Sequence, residues 1–116
     1  REIQSYIKGS YRVLESQRAC LALSEYQEVA RKCSPGFDEW REQIYDAFRT
    51  YEDLRQQWGC FDRMDACLHV IRQLQQAPYA GPPLQTIAVD EVQDLAQLEL
   101  ALFFVISKRP YDGLFI

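Results

Sequence analysis

The stretch Ile87-Ala88-Val89-Asp90-Glu91-Val92-Gln93-Asp94 decides how the chain reads. An apolar run ends abruptly in two adjacent carboxylates, and glutamine and a third carboxylate follow. Apolar β-branched residues favour a buried strand. Beyond Asp94 the apolar positions 95, 98, 102, 105 and 106 recur at helical spacing. The acidic group therefore sits where a strand hands over to a helix. In open α/β sheets that strand end is where ligands bind. A carboxylate there can hold a hard cation such as Mg²⁺ through oxygen. A neighbouring carboxylate can deprotonate a water that attacks a phosphoryl group. A purely local reading stands beside this one. Acidic residues suit any helix N-terminus, and Asp94 with Gln97 has capping-box spacing.

Working outward, Pro78, Gly81, Pro82 and Pro83 form a loop that no helix or central strand can cross. The strand begins near Gln85 or Thr86. A helix over 95–107 leads to a turn at 108–113, and Leu114-Phe115-Ile116 starts a second strand. Two strands joined by a helix predict a right-handed βαβ unit with parallel strands.

The first half reads as helix throughout. Residues 2–8 carry Ile3, Tyr6 and Ile7 on one side, and Gly9-Ser10 breaks them. Lys8-Gly9-Ser10 is no phosphate loop, because G-x-x-x-x-G-K-[S/T] occurs nowhere in the chain. A short helix over about 13–22 follows. Ser24, with Gln27 three residues on, predicts an N-cap for a helix that runs to Cys33 and stops at Ser34-Pro35-Gly36. Phe37, Trp40, Ile44, Phe48, Tyr51, Leu54 and Trp58 then recur at steps of three or four. That is one apolar stripe, with Arg41, Arg49, Arg55 and the acidic residues on solvated faces. Packing explains this stripe better than a base-stacking platform would. A buried Trp40 makes truncation to alanine cost roughly 3–5 kcal/mol. Gly59 ends the helix. Asp62 caps a further helix over 63–76, with Met64, Cys67, Leu68, Ile71 and Leu74 as its buried stripe.

Composition bounds the rest. The 116 residues suffice for one domain of ordinary size, and a hydrophobic fraction of 47% argues against disorder. A net charge of −4 argues against a chain built mainly to clamp nucleic acid. The longest apolar run is too short to span a bilayer, so no membrane partner is expected. Cys20, Cys33, Cys60 and Cys67 include no C-x-x-C pair, and His69 is the single histidine. They read as reduced, mostly buried thiols of an intracellular protein, nuclear or cytoplasmic, rather than as a zinc site. The first residue is Arg, so the chain reads as a segment of something longer.

The string Asp90-Glu91-Val92-Gln93-Asp94 after Ile87-Ala88-Val89 resembles the Walker B motif of superfamily 1 helicases of the UvrD/Rep type. Phe61-Asp62-Arg63-Met64-Asp65 is similar to the F-D-x-x-D segment upstream of that motif, and the large eukaryotic members look nearest. The resemblance implies an α/β, mostly helical fold. Residues 1–59 would end a helical insertion subdomain, the 1B-like region. Residues 60–116 would form a partial RecA-like domain, an incomplete P-loop NTPase unit. Asp90 would ligand the Mg²⁺ of bound ATP, and Glu91 would be the catalytic base. Gln93 would link nucleotide to nucleic acid, and Asp94 would serve as cap or supporting group. The parent would then be an ATP-hydrolysing helicase acting on single-stranded DNA or RNA together with its remaining helicase domains. The fragment alone would be inactive. The phosphate loop, the following motif and the arginine finger are absent, and Ala96 stands where many relatives carry Ser or Thr. One alternative is a degenerate helicase-like module that binds proteins and hydrolyses nothing. Another is a metal-dependent phosphohydrolase acting through Asp90, Glu91 and Asp94.

Overall fold

The computed structural model describes residues 1–108 and 112–115. A π-helical turn, Glu2–Lys8, and a 3₁₀ turn, Tyr11–Glu15, precede helix α1 (Leu23–Cys33). A second 3₁₀ turn, Pro35–Trp40, runs directly into α2 (Arg41–Gln57), which is followed by α3 (Arg63–Gln76). Strand β1 (Ile87–Ala88), a 3₁₀ turn (Val92–Asp94), helix α4 (Gln97–Ile106) and strand β2 (Leu114–Phe115) complete the described order. The predicted turn at 109–111 and residue 116 lie outside the described residues.

Local chemistry explains where most of these elements stop and start. Asp62 and Asp65 form a full capping box on α3: the Asp65 N–H donates to Asp62 Oδ1 at 2.9 Å, and the Asp62 N–H donates to Asp65 Oδ2 at 3.0 Å. Gly59 adopts φ +62 beyond the end of α2. The Gly59 N–H donates to Gln56 O and the Cys60 N–H to Arg55 O, which is the double bond pattern of a Schellman motif. At α1 the predicted Ser24 cap is displaced. The helix starts two residues earlier, where Glu25 reaches back to accept from the Ala22 N–H at 2.7 Å. Glu99 does the same for Ala96 at 2.8 Å, so α4 begins at Gln97 and Asp94 is not its cap. The helix expected over 13–22 contracts to the short 3₁₀ turn.

The predicted stripe holds in its middle, where Phe48 is buried and Ile44 and Tyr51 pack against the core, and fails at its two ends. Phe37, Trp40, Leu54 and Trp58 are exposed, Trp40 at 58%. Arg41 and Tyr45 are buried beside Phe48. For Phe37 and Trp40 the reason lies in the 3₁₀ turn Pro35–Trp40, because three residues per turn rotate these side chains relative to a continuous α-helix. The Tyr45 hydroxyl donates to the Leu21 carbonyl at 2.8 Å, and its ring lies 6.2 Å from Tyr26 and 5.4 Å from Phe48.

One hydrophobic cluster unites Ile7, Val13, Leu21, Tyr26 and Phe48 with Met64, Leu68, Ile71 and Leu98. Gly9 makes this junction possible. A Cβ there would fall 2.1 Å from the Gln4 carbonyl and 2.6 Å from Ala96 Cβ. The Gly9 carbonyl accepts from the Leu98 N–H at 2.9 Å, tying the start of α4 to the N-terminal turn.

The sheet is small. β1 and β2 pair in parallel as expected, with Ile87 opposite Leu114 and Ala88 opposite Phe115. Two residues each is all they contribute, however, and Ala88 and Phe115 are exposed. The expected buried strand over 85–90 is thus reduced to a half-exposed pair. Parallel sheets depend on covered faces, and a two-residue ladder gives little to cover. The molecule is mostly helical with a two-stranded parallel sheet, and the expected partial P-loop NTPase unit is not supported.

Phe48→Ala should cost about 3–5 kcal/mol, whereas Trp40→Ala should cost less than about 1 kcal/mol. Urea melts of the two variants check this, and a Trp40 loss as large as that of Phe48 would contradict the packing described.

Candidate functional site

The acidic turn singled out by sequence lies on the surface, and Asp90, Glu91, Gln93 and Asp94 are all exposed. Asp90 Oδ1 accepts from the Glu91 N–H at 2.8 Å. Glu91 adopts φ +53, the single non-glycine residue with positive φ among those described. Its carboxylate accepts from Gln93 Nε2, and its carbonyl accepts from the Asp94 N–H at 2.9 Å. The structure therefore brings all four predicted residues into one tight turn. Among the described residues no group of three or more His, Cys, Asp or Glu side chains is arranged to hold a metal ion.

Sequence reasoning missed the charges that are buried. The Lys8 side chain is 1% exposed, and its Nζ lies 2.5 Å from Asp62, 2.8 Å from Asp65 and 2.9 Å from Glu52. Tyr51 donates to Asp62 at 2.6 Å, and Arg55 contacts Glu52 at 2.6 Å and Asp65 at 3.1 Å. Burial opposes the charge on Lys8, but hydrogen bonds to the three carboxylates outweigh it and raise its pKa. Burial likewise opposes the ionised forms of Asp62 and Glu52. Lys8 and Tyr51 nevertheless hold the Asp62 carboxyl below its usual range, and Arg55 and Lys8 do so for Glu52. Burial and the Asp62 charge push the Tyr51 hydroxyl up to about 12. The resembling segment Phe61–Asp65 is therefore an ion-pair anchor and a helix cap.

Arg41 was assigned to a solvated face and is 3% exposed. It bonds the Ser34 carbonyl at 2.6 Å and Asp38 at 2.8 Å. Its Nη1 makes no hydrogen bond but lies 3.5 Å from Glu2. The Tyr26 hydroxyl donates to the same Glu2 oxygen at 2.7 Å. The cysteines are free, as expected, but only Cys67 is buried, while Cys33 and Cys60 are exposed. Burial pushes the Cys67 thiol up to about 11.

A second surface feature is an apolar groove of about 520 Å³ along α4. Tyr11, Leu14, Leu100, Ala101, Phe104 and Val105 line it, and Gln75 and Gln97 contribute its polar groups. No charged side chain lines it. Leu98 and Ala101 face the core, but Phe104 is 43% exposed and Val105 is also exposed. The predicted stripe 95-98-102-105-106 was one reading of a helix that is apolar on every side, from Leu98 through Ile106 except Glu99. Such a helix is normally buried all round. That all-round pattern was the signal for the groove. No helix among the described residues is long and apolar enough to cross a membrane.

Comparison with known proteins finds a likeness to a curated protein. No family model and no solved structure matches the chain. Over 110 residues, 95% of its length, the chain is 35% identical to TPR and ankyrin repeat-containing protein 1 of Homo sapiens. It spans about 4% of that relative's length. The relative is named for repeats, not for a helicase. This overturns the expectation of a UvrD/Rep-type helicase fragment and, with it, the ATP-binding and hydrolase assignments drawn from that resemblance. A five-residue acidic string at a helix start was too short to carry them, since turn and cap chemistry favours the same residue types.

The ion-pair cluster gives a pH prediction. The stabilisation from Asp62 and Glu52 is full above the unfolded carboxylate range, about pH 4–4.5. It is lost as the pH falls through their lowered folded values. Lys8→Met should cost about 3–5 kcal/mol at neutral pH, because it strands buried carboxylates. Its deficit relative to wild type should shrink as the pH falls below about 4. Urea melts across that range test it, and a deficit independent of pH would show that the carboxylates do not titrate against Lys8.

Proposed function

We propose that the chain is a protein-interaction module within a larger repeat-containing protein and that it hydrolyses nothing by itself. The observation that carries this reading is the exposed apolar side of α4, where Leu100, Phe104 and Val105 border an open groove without a charged lining. Contiguous exposed apolar surface marks interaction sites. The likeness to a protein named for TPR and ankyrin repeats supports the same reading, because repeat arrays present extended binding surfaces. The sequence itself shows no internal repeat, so the module would stand beside such arrays rather than form one.

The groove is expected to select partners through Phe104. Affinity enrichment from human cell lysate, quantified for wild type and Phe104→Glu, should show proteins retained by wild type and depleted about tenfold or more by the variant. Indistinguishable sets would remove the groove from the reading. Calorimetric titration with Mg-ATP should give no binding in the micromolar range, since no phosphate-cradling loop is present in the sequence. Micromolar binding or turnover would overturn the non-enzymatic reading.

A further inference from the structure

We infer that Ser34 is a phosphorylation site and that the buried Arg41 guanidinium receives its phosphate. This is independent of the interaction reading.

The first observation is an unused donor. Arg41 is 3% exposed, and its Nη1 is the single buried side-chain nitrogen or oxygen among the described residues that makes no hydrogen bond. Buried donors without an acceptor are rare and costly. Nε and Nη2 are occupied by Asp38 and by the Ser34 carbonyl, the latter at 2.6 Å. The guanidinium therefore sits against residue 34 itself, with the N–H groups of Nη1 still to be used. Glu2, which Nη1 approaches at 3.5 Å, lines a cleft of about 340 Å³ together with Ser34 and Arg1. A phosphate on Ser34 has room there and brings three strong acceptor oxygens.

The second observation is charge. A dianion at the end of α1 opposes the helix dipole, so cations must offset it. Arg31 and Lys32 occupy the last turn of α1, and Arg1 borders the cleft. Among the described residues none of these three sits in an ion pair. Glu2 and Asp38 are the opposing charges, and both already face Arg41.

The third observation is access. Ser34 leaves the helix with φ −150 and ψ 64, and its hydroxyl makes no capping bond. Residues 35–40 are all exposed, and nothing lies within 4 Å of a Cβ built at Gly36. The Ser16 and Thr50 hydroxyls, by contrast, donate to main-chain carbonyls, and Ser10 is buried. Pro35 follows Ser34 directly, which selects the proline-directed class of protein kinase. In the transfer the Ser34 O–H bond breaks and an Oγ–P bond forms to the γ-phosphoryl group of ATP. ADP leaves, and the hydroxyl proton passes to the catalytic base of the kinase.

Two experiments test the two halves. The 116-residue chain is incubated with Mg-ATP and a proline-directed protein kinase. Mass spectrometry should show one phosphate, placed on Ser34 by fragmentation and absent from Ser34→Ala. No incorporation, or equal incorporation in Ser34→Ala, overturns the site. Independently of any kinase, phosphoserine is encoded at position 34 and urea melts are compared. The phosphorylated chain should unfold at a midpoint higher by about 0.5 M, since charge-assisted bonds to guanidinium are the strong ones. The gain should vanish in Arg41→Lys, because an ammonium cannot serve the Ser34 carbonyl, Asp38 and the phosphate in one fork. Arg41→Gln is the second variant, and circular dichroism establishes that each is folded. Arg31→Ala with Lys32→Ala should keep most of the gain. A midpoint unchanged or lowered by phosphoserine in the wild-type background, or a gain retained in folded Arg41→Lys, overturns the assignment to Arg41.

Discussion

A single ammonium group anchors the structure. Lys8 ends the N-terminal turn, and its three carboxylate partners come from α2 and from the first turn of α3. The cluster sets two cations against three carboxylates. Lys8 and Arg55 face Glu52, Asp62 and Asp65, and the Tyr51 hydroxyl supplies a further donor. Burying one such cation alone would be prohibitive. Burying it among shared acceptors fixes a geometry, because each carboxylate answers to more than one donor. Asp62 and Asp65 hold the α3 N-terminus as well as Lys8. The local helix start and the long-range contact are thus made by the same oxygens. Apolar packing can slide by a fraction of a side chain, and this arrangement cannot.

The second polar anchor has the same form. Arg41 bridges the 3₁₀ turn before α2 to α1 and to Glu2 through the Ser34 carbonyl, Asp38 and the Tyr26 pair. Its guanidinium carbon also lies 5.7 Å from the Tyr26 ring centre. The two anchors flank the Tyr26–Tyr45–Phe48 aromatic group, so the helical half is clamped at both ends of its core.

How much of this was legible depended on the range of each interaction. Helix α3 was readable to the residue, because the Asp62–Asp65 box and the apolar spacing from Met64 to Ile71 are local. Gly59 was readable for the same reason. The parallel pairing of β1 and β2 followed from their order with a helix between them. The middle of α2 was readable, since Ile44, Phe48 and Tyr51 face the core, but its start was not, because the 3₁₀ turn before it depends on where Arg41 is buried. Lys8 looked like part of a loop signal and proved to be the most connected buried charge, and no pattern near position 8 points to residues 52, 62 and 65. The acidic string was read as the point where a strand hands over to a helix, and the structure makes it a turn. The groove left a trace in the all-round apolar character of α4, which a one-stripe reading hid.

At Gly9 the backbone is itself the packing surface. Ala96 Cβ lies where a side chain at position 9 would stand, and Met64 sulfur closes the third side at 3.1 Å. Positions 9 and 96 therefore share one small volume. An atom gained at either has to be surrendered by the other or taken from the Met64 thioether, the adaptable member of the three. Change along this seam is concerted: the two residues behave as a single unit spread over two distant places in the chain, limited by room and indifferent to polarity.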